Sequence, residues 1–187
     1  VTPVTYDDIL IGDKNAIMIA ARVLGYGKVY DATYTCECSH RNEIKIDLTS
    51  IKDKEIDFKK IIPHVNEFNF KLPNVKRDVT FILHTIGTEK LVEQELKAIK
   101  FNKDGGTKEV TTRLKHIITS VDGNRDKQFI RTFVDNELFA SDSRALRTYI
   151  QTIQPDIDTK INVTCDECGK EQEIDLPIGV NFFWPAS

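Results

Sequence analysis

The chain has 187 residues, of which 40% are hydrophobic and 29% charged, and its formal net charge is −3. That balance excludes disordered, collagen-like and fibrous classes, and the slight negative charge argues against a protein built to grip nucleic-acid phosphates, which needs a basic face. No apolar run approaches the roughly 20 residues needed to cross a bilayer, and the first residues lack a basic-then-apolar secretory pattern, so the chain reads as intracellular at synthesis, with no membrane partner.

In chain order, residues 5–25 carry apolar side chains at helical spacing (Ile9, Leu10, Ile17, Met18, Val23, Leu24), with an interruption near Gly12 and closure at Gly25 and Gly27. Residues 28–35 alternate through Val29, Tyr30, Ala32 and Tyr34 as a strand running into Cys36, and Ile44, Ile46 and Leu48 give a return strand of period two. Phe68–Leu72 and Val79–Thr85 read as short strands, and a helix follows from Thr88 to Ile99, its early Glu89, Glu93 and Glu95 suited to the helix dipole. The glycine pair Gly105-Gly106 marks a loop. The patterns then predict helices over Val110–Val121 and Asp126–Asn136, and a third to Ile153 capped by Ser141 or Asp142. Thr159–Thr164 alternates into Cys165, Ile174 and Leu176 form the return strand, and Phe182, Phe183 and Trp184 make an aromatic tail.

The two cysteine regions read as copies of one hairpin: a strand ending in Thr, a cysteine pair, a turn, and a strand leaving through Ile-Asp-Leu, at residues 46–48 and 174–176. Paired thiolates at a hairpin tip are the donors a structural zinc site needs, and two such tips supply the four soft ligands of a closed tetrahedral shell. The candidate ligands are Cys36, Cys38, Cys165 and Cys168, holding one structural Zn2+. The first pair is separated by one residue and the second by two, and His40 stands as an alternative to Cys36 or Cys38. Small buried cysteines in the core are the plain rival. A redox dithiol fits poorly, because a strand rather than a helix follows the second pair. An ion shared by both ends of the chain predicts that chelation loosens the whole protein.

No catalytic constellation emerges. His64, His84 and His116 lack partners at ligand spacing, Gly25-Tyr26-Gly27 is no dinucleotide loop, and Asp47 and Asp175, equivalent in the repeat, suit solvent faces or turn caps. The reading is a non-enzyme without a small-molecule substrate.

The order of these motifs resembles the baseplate hub protein family of T-even-type contractile-tailed bacteriophages. The resemblance is carried by the helix ending Ala20–Gly27, Cys36 and Cys38 with the exit Asp47-Leu48, the segment Asp142–Arg147, Pro155-Asp156, the Cys165/Cys168 knuckle, and the tail ending in Trp184-Pro185. It implies a late protein that assembles the hub of the tail baseplate, as a virion part or an assembly factor. Its partners are other hub and tail proteins, and it is found in the host cytoplasm during assembly and in the virion tail. The tail residues Phe182, Phe183 and Trp184 are candidate partner-binding anchors, with packing on the protein's own core as the rival.

The expected fold class is α+β within a single domain, 1–187. A zinc-ribbon-like pair of β-hairpins, 28–50 and 159–178, comes from the two chain ends, with a mostly helical insertion, 51–158, between them. The rival functions are a nucleic-acid-binding zinc ribbon, with Arg41, Lys45, Lys160 and Lys170 as a basic rim, and a lysis-related hydrolase built around His84 or His116.

Overall fold

The computed structural model describes residues 4–56, 61–62, 65–101, 108–178 and 180–183. The architecture is α+β, and the chain divides into two compact units, one of Val1–Ile11 with Glu55–Pro155 and the other of Gly12–Lys54 with Asp156–Ser187.

The first unit is a three-stranded antiparallel sheet with helices packed on it. Strands β1 (Phe68–Lys71), β2 (Asp78–Phe81) and β3 (Ile118–Val121) lie in that order. Helix α1 (Ile86–Phe101) is opened by Thr85 and Thr88, whose hydroxyls each accept from the other's backbone N–H, at 3.2 and 2.8 Å respectively. Helices α2 (Glu109–Ile117), α3 (Lys127–Asn136) and α4 (Ala140–Ile153) complete the unit. Its core joins Val79, Phe81, Leu114, Val121, Phe133, Leu146 and Ile153, all at most 2% exposed. Each such side chain contributes about 1.5–3 kcal/mol by leaving water.

Two local readings are corrected here. The helix expected over Val110–Val121 ends at Ile117, and Ile118–Val121 is strand β3, in which Val121 pairs with Val79 and Ser120 with Thr80. Ile117, Ile118, Thr119 and Val121 are β-branched, which favours a pleated edge over another helical turn. Neither Ser141 nor Asp142 caps α4, because the residue before the helix is Phe139. Asp142 lies fully buried in the first turn, where its carboxylate accepts from the Asn74 N–H at 2.8 Å and the Val75 N–H at 3.3 Å, so it fixes the β1–β2 turn. Asp126 does cap α3, accepting from the Phe129 N–H at 2.7 Å. The Gly105-Gly106 loop and His64 lie outside the described residues.

In the second unit, helix α5 (Ile11–Tyr26) follows a short 3-10 turn at Tyr6–Asp8, so the interruption falls at residues 9 and 10 rather than at Gly12. It closes where the Gly27 N–H, at φ 85°, donates to the Val23 carbonyl. Two antiparallel hairpins follow in sequence, β4–β5 (Val29–Thr35, Arg41–Asp47) and β6–β7 (Lys160–Thr164, Glu171–Asp175). Ile19, Tyr30, Ile46, Leu48, Ile157, Leu176 and Phe182 form their shared core. Phe182, in the short helix α6 (Val180–Phe183), is 0% exposed and meets the Tyr30 ring edge-on at 5.0 Å.

Candidate metal centre

The two hairpins present their tips in matching form. Counted back from the cysteine pairs their registers coincide: Thr35 pairs with Arg41 and Tyr34 with Asn42 in one, Thr164 with Glu171 and Val163 with Gln172 in the other. At each tip the first cysteine's N–H donates across the turn, Cys36 to the His40 carbonyl at 2.9 Å and Cys165 to the Lys170 carbonyl at 3.0 Å. The first cysteine's carbonyl in turn accepts from the residue after the second cysteine, Ser39 at 2.8 Å and Gly169 at 2.9 Å. The shorter gap between Cys36 and Cys38 is absorbed by a turn one residue tighter, with the backbone pattern kept.

The Ile-Asp-Leu exits mark the hairpin bases, where the Leu48 N–H donates to Lys28 and the Leu176 N–H to Thr159. The first hairpin has seven residues per strand and the second five, so Asp47 and Asp175 match at the base but differ in distance from the tip. Asp47 accepts from the Thr49 N–H at 3.0 Å, and the Thr49 hydroxyl together with Lys28 holds its carboxyl down at about 2.

All four sulfurs lie within 4.8 Å of one another, with Cys36 to Cys168 and Cys38 to Cys165 both at 3.7 Å. A tetrahedron of thiolates about 2.3 Å from a zinc ion has edges of about 3.8 Å, so the donor set fits that ion in both chemistry and spacing. Among the described residues His40 is outside this cluster. Cys36 and Cys165 are buried against Tyr34, with Ile44, Val163 and Ile174 around them, while Cys38 and Cys168 are exposed.

The sulfurs are electrostatically unequal. The Cys168 N–H, aided by the Glu167 N–H and the Asn42 amide and opposed by burial, lowers Cys165 to about 6. The His40 N–H favours the Cys38 thiolate, yet burial and the neighbouring sulfurs prevail and push it up to about 12. Full ionisation of sulfurs this close is opposed by their mutual repulsion, and a divalent cation among them removes that conflict.

Cations on the two hairpins have acids beside them. Lys170 pairs with Glu37 across the two hairpins, Lys160 reaches Glu173 at 2.5 Å, and Lys45 sits opposite Asp31 in register. Of the basic rim expected of a nucleic-acid ribbon, Lys160 and Lys170 are thus paired with acids, while Arg41 bonds the Thr33 hydroxyl. Away from the cysteines, His116 has a partner that its isolation in sequence hides, since its Nε2 lies 2.8 Å from Glu95. Glu95 also accepts two hydrogen bonds from Arg131, at 2.9 and 2.6 Å. His84 is held below its ordinary pKa by burial and by Arg113, against the pull of Glu89. Arg113 pairs with Glu89 as Arg131 does with Glu95, so ion pairs join α1 to α2 and α3.

The family described as T4 bacteriophage base plate protein matches residues 2–184, nearly the whole chain. The chain belongs to that family. Membership supports a structural role in the phage baseplate, and points to the virion tail and to other baseplate proteins as its surroundings. Neither the curated proteins nor the solved structures offer a match. Among the described residues of this baseplate protein, no helix is long and apolar enough to cross a membrane. Of the tail residues, Phe182 is in the core, Phe183 is half-buried with its ring 5.0 Å from that of Phe182, and Trp184 lies outside the described residues.

Proposed function

We propose that Cys36, Cys38, Cys165 and Cys168 hold one structural zinc ion, and that the zinc-ribbon-like pair of hairpins so formed braces a protein of the baseplate hub. The 3.7 Å spacing of the sulfurs across the two hairpins carries this reading. Four thiolates fill the coordination shell, which leaves no position for a reactive water, so the ion stabilises rather than catalyses. The hairpins 28–50 and 159–178 act as one unit from the two chain ends, with 51–158 as an insertion between them.

The protein mediates contacts during hub assembly in the host cytoplasm. Because the Phe182 ring is in the core, it anchors the end of the chain, and partner binding through the tail falls to Phe183 and Trp184. Metal analysis of the purified chain tests the site: one zinc per chain is expected, with loss in Cys165→Ser, and a metal-free wild type overturns the reading. Recovery of other baseplate proteins with the chain from infected cells tests the role. That recovery is expected to fall when Phe183 and Trp184 are changed to Ala, and unchanged recovery removes the tail from the interface.

A further inference from the structure

Asn42 is 1% exposed, on strand β5 beside the sulfurs. A buried primary amide is costly unless its groups are hydrogen-bonded, and those of Asn42 are used across two different turns. Its Nδ2 donates to the His40 carbonyl at 3.2 Å in its own hairpin and to Cys165 Sγ at 3.6 Å in the other. Its Oδ1 accepts from the Asp166 N–H at 2.9 Å, also in the other hairpin. One side chain thus ties the first knuckle to the second and aims an N–H at a candidate ligand.

The repeat supplies a comparison within the molecule. Register places Gln172 at the position of Asn42, opposite Val163 as Asn42 is opposite Tyr34, yet Gln172 is half-exposed while Asn42 is enclosed. Two strands of equal register thus carry an amide at the same place, and one of the two is built into the centre.

We infer that Asn42 is a positioning residue of the cysteine centre, orienting Cys165 and holding its sulfur by an N–H···S bond so that both knuckles face one ion. The inference rests on the metal reading above. Outer-shell partners of this kind hold a ligand in its binding geometry, and their loss weakens metal affinity by about 10- to 100-fold.

The test uses the full chain with zinc and with cobalt as probes. Zinc affinity is measured by competition with a chromophoric chelator, and the sulfur-to-cobalt charge-transfer bands report the electron density on the thiolates. Asn42→Asp keeps an acceptor for the Asp166 N–H but turns a carboxylate oxygen toward the sulfur, and Asn42→Leu removes all three bonds in a side chain of similar branched shape. Both are expected to lose about 10- to 100-fold in zinc affinity and to shift the cobalt bands, whereas Gln172→Leu keeps both at wild type. If Asn42→Leu fails to fold, Asn42→Asp decides alone. Wild-type affinity and bands in Asn42→Asp overturn the role of Asn42, as does an equal effect from Gln172→Leu. A wild type without sulfur-to-cobalt bands instead overturns the metal reading.

Discussion

Ser39 and Gly169 share one backbone angle, φ 69° in each, at the residue that follows the second cysteine of its pair. Only glycine takes that left-handed conformation without penalty, and an L-residue there costs about 1–2 kcal/mol. A Cβ on Gly169 meets no atom within 4 Å, so its substitution carries a torsional cost alone. Gly169→Ala is expected to lower the stability of the second unit by about 1 kcal/mol. Ser39→Gly raises it by less than that, because the freer unfolded chain offsets part of the relief. Denaturant midpoints of the metal-loaded proteins check both, and equal stability of wild type and Gly169→Ala contradicts the expectation.

Removal of the proposed ion is expected to affect the two units unequally. The cores of the units share no residue, and the sulfurs belong to the second alone. Chelation, expected from the sequence to loosen the whole protein, is therefore expected to open one unit. Amide exchange followed with a strong chelator present should rise in β4, β5, β6 and β7 and stay slow in β1, β2 and β3. A uniform rise along the chain is the contrary result.

Acid sensitivity of the first unit centres on Glu95. Its hydrogen bonds to Arg131, and next those to His116, bring its carboxyl from an ordinary 4.5 down to about 2, with burial opposing. A folded-state value below the unfolded one means stability that is fully present above about pH 4.5 and lost as the pH falls toward about 2. Glu95→Gln is expected to cost about 1–3 kcal/mol at neutral pH through the lost charged hydrogen bonds. It should also flatten the dependence of the urea midpoint on pH between about 4.5 and 2. Parallel pH profiles for wild type and variant contradict this.

The parts of the molecule legible in sequence are those whose signal is local. Strand alternation, cysteine spacing and a repeated exit motif are contained within about twenty residues, and they led to the pairing of Cys36 and Cys38 with Cys165 and Cys168. The features that depend on distant partners were hidden. His116 gains its meaning from Glu95, and buried Asp142 from a turn at Asn74 and Val75. Ile118–Val121 becomes a strand because Val79 and Thr80 lie beside it, although its β-branched run was a usable hint. Asn42 carried no motif, and only comparison with Gln172 after the registers are known makes it stand out.

The sulfurs of Cys38 and Cys165 are 127 residues apart in sequence. At elongation rates of about 5–20 residues per second, a ribosome needs roughly 6–25 seconds to make the stretch between them. During that interval the nascent chain carries an early thiol pair without its complement, while the first unit receives every residue it needs before the second cysteine pair is made. Under the proposed metal reading, the early thiol pair must therefore stay reduced until the second hairpin emerges.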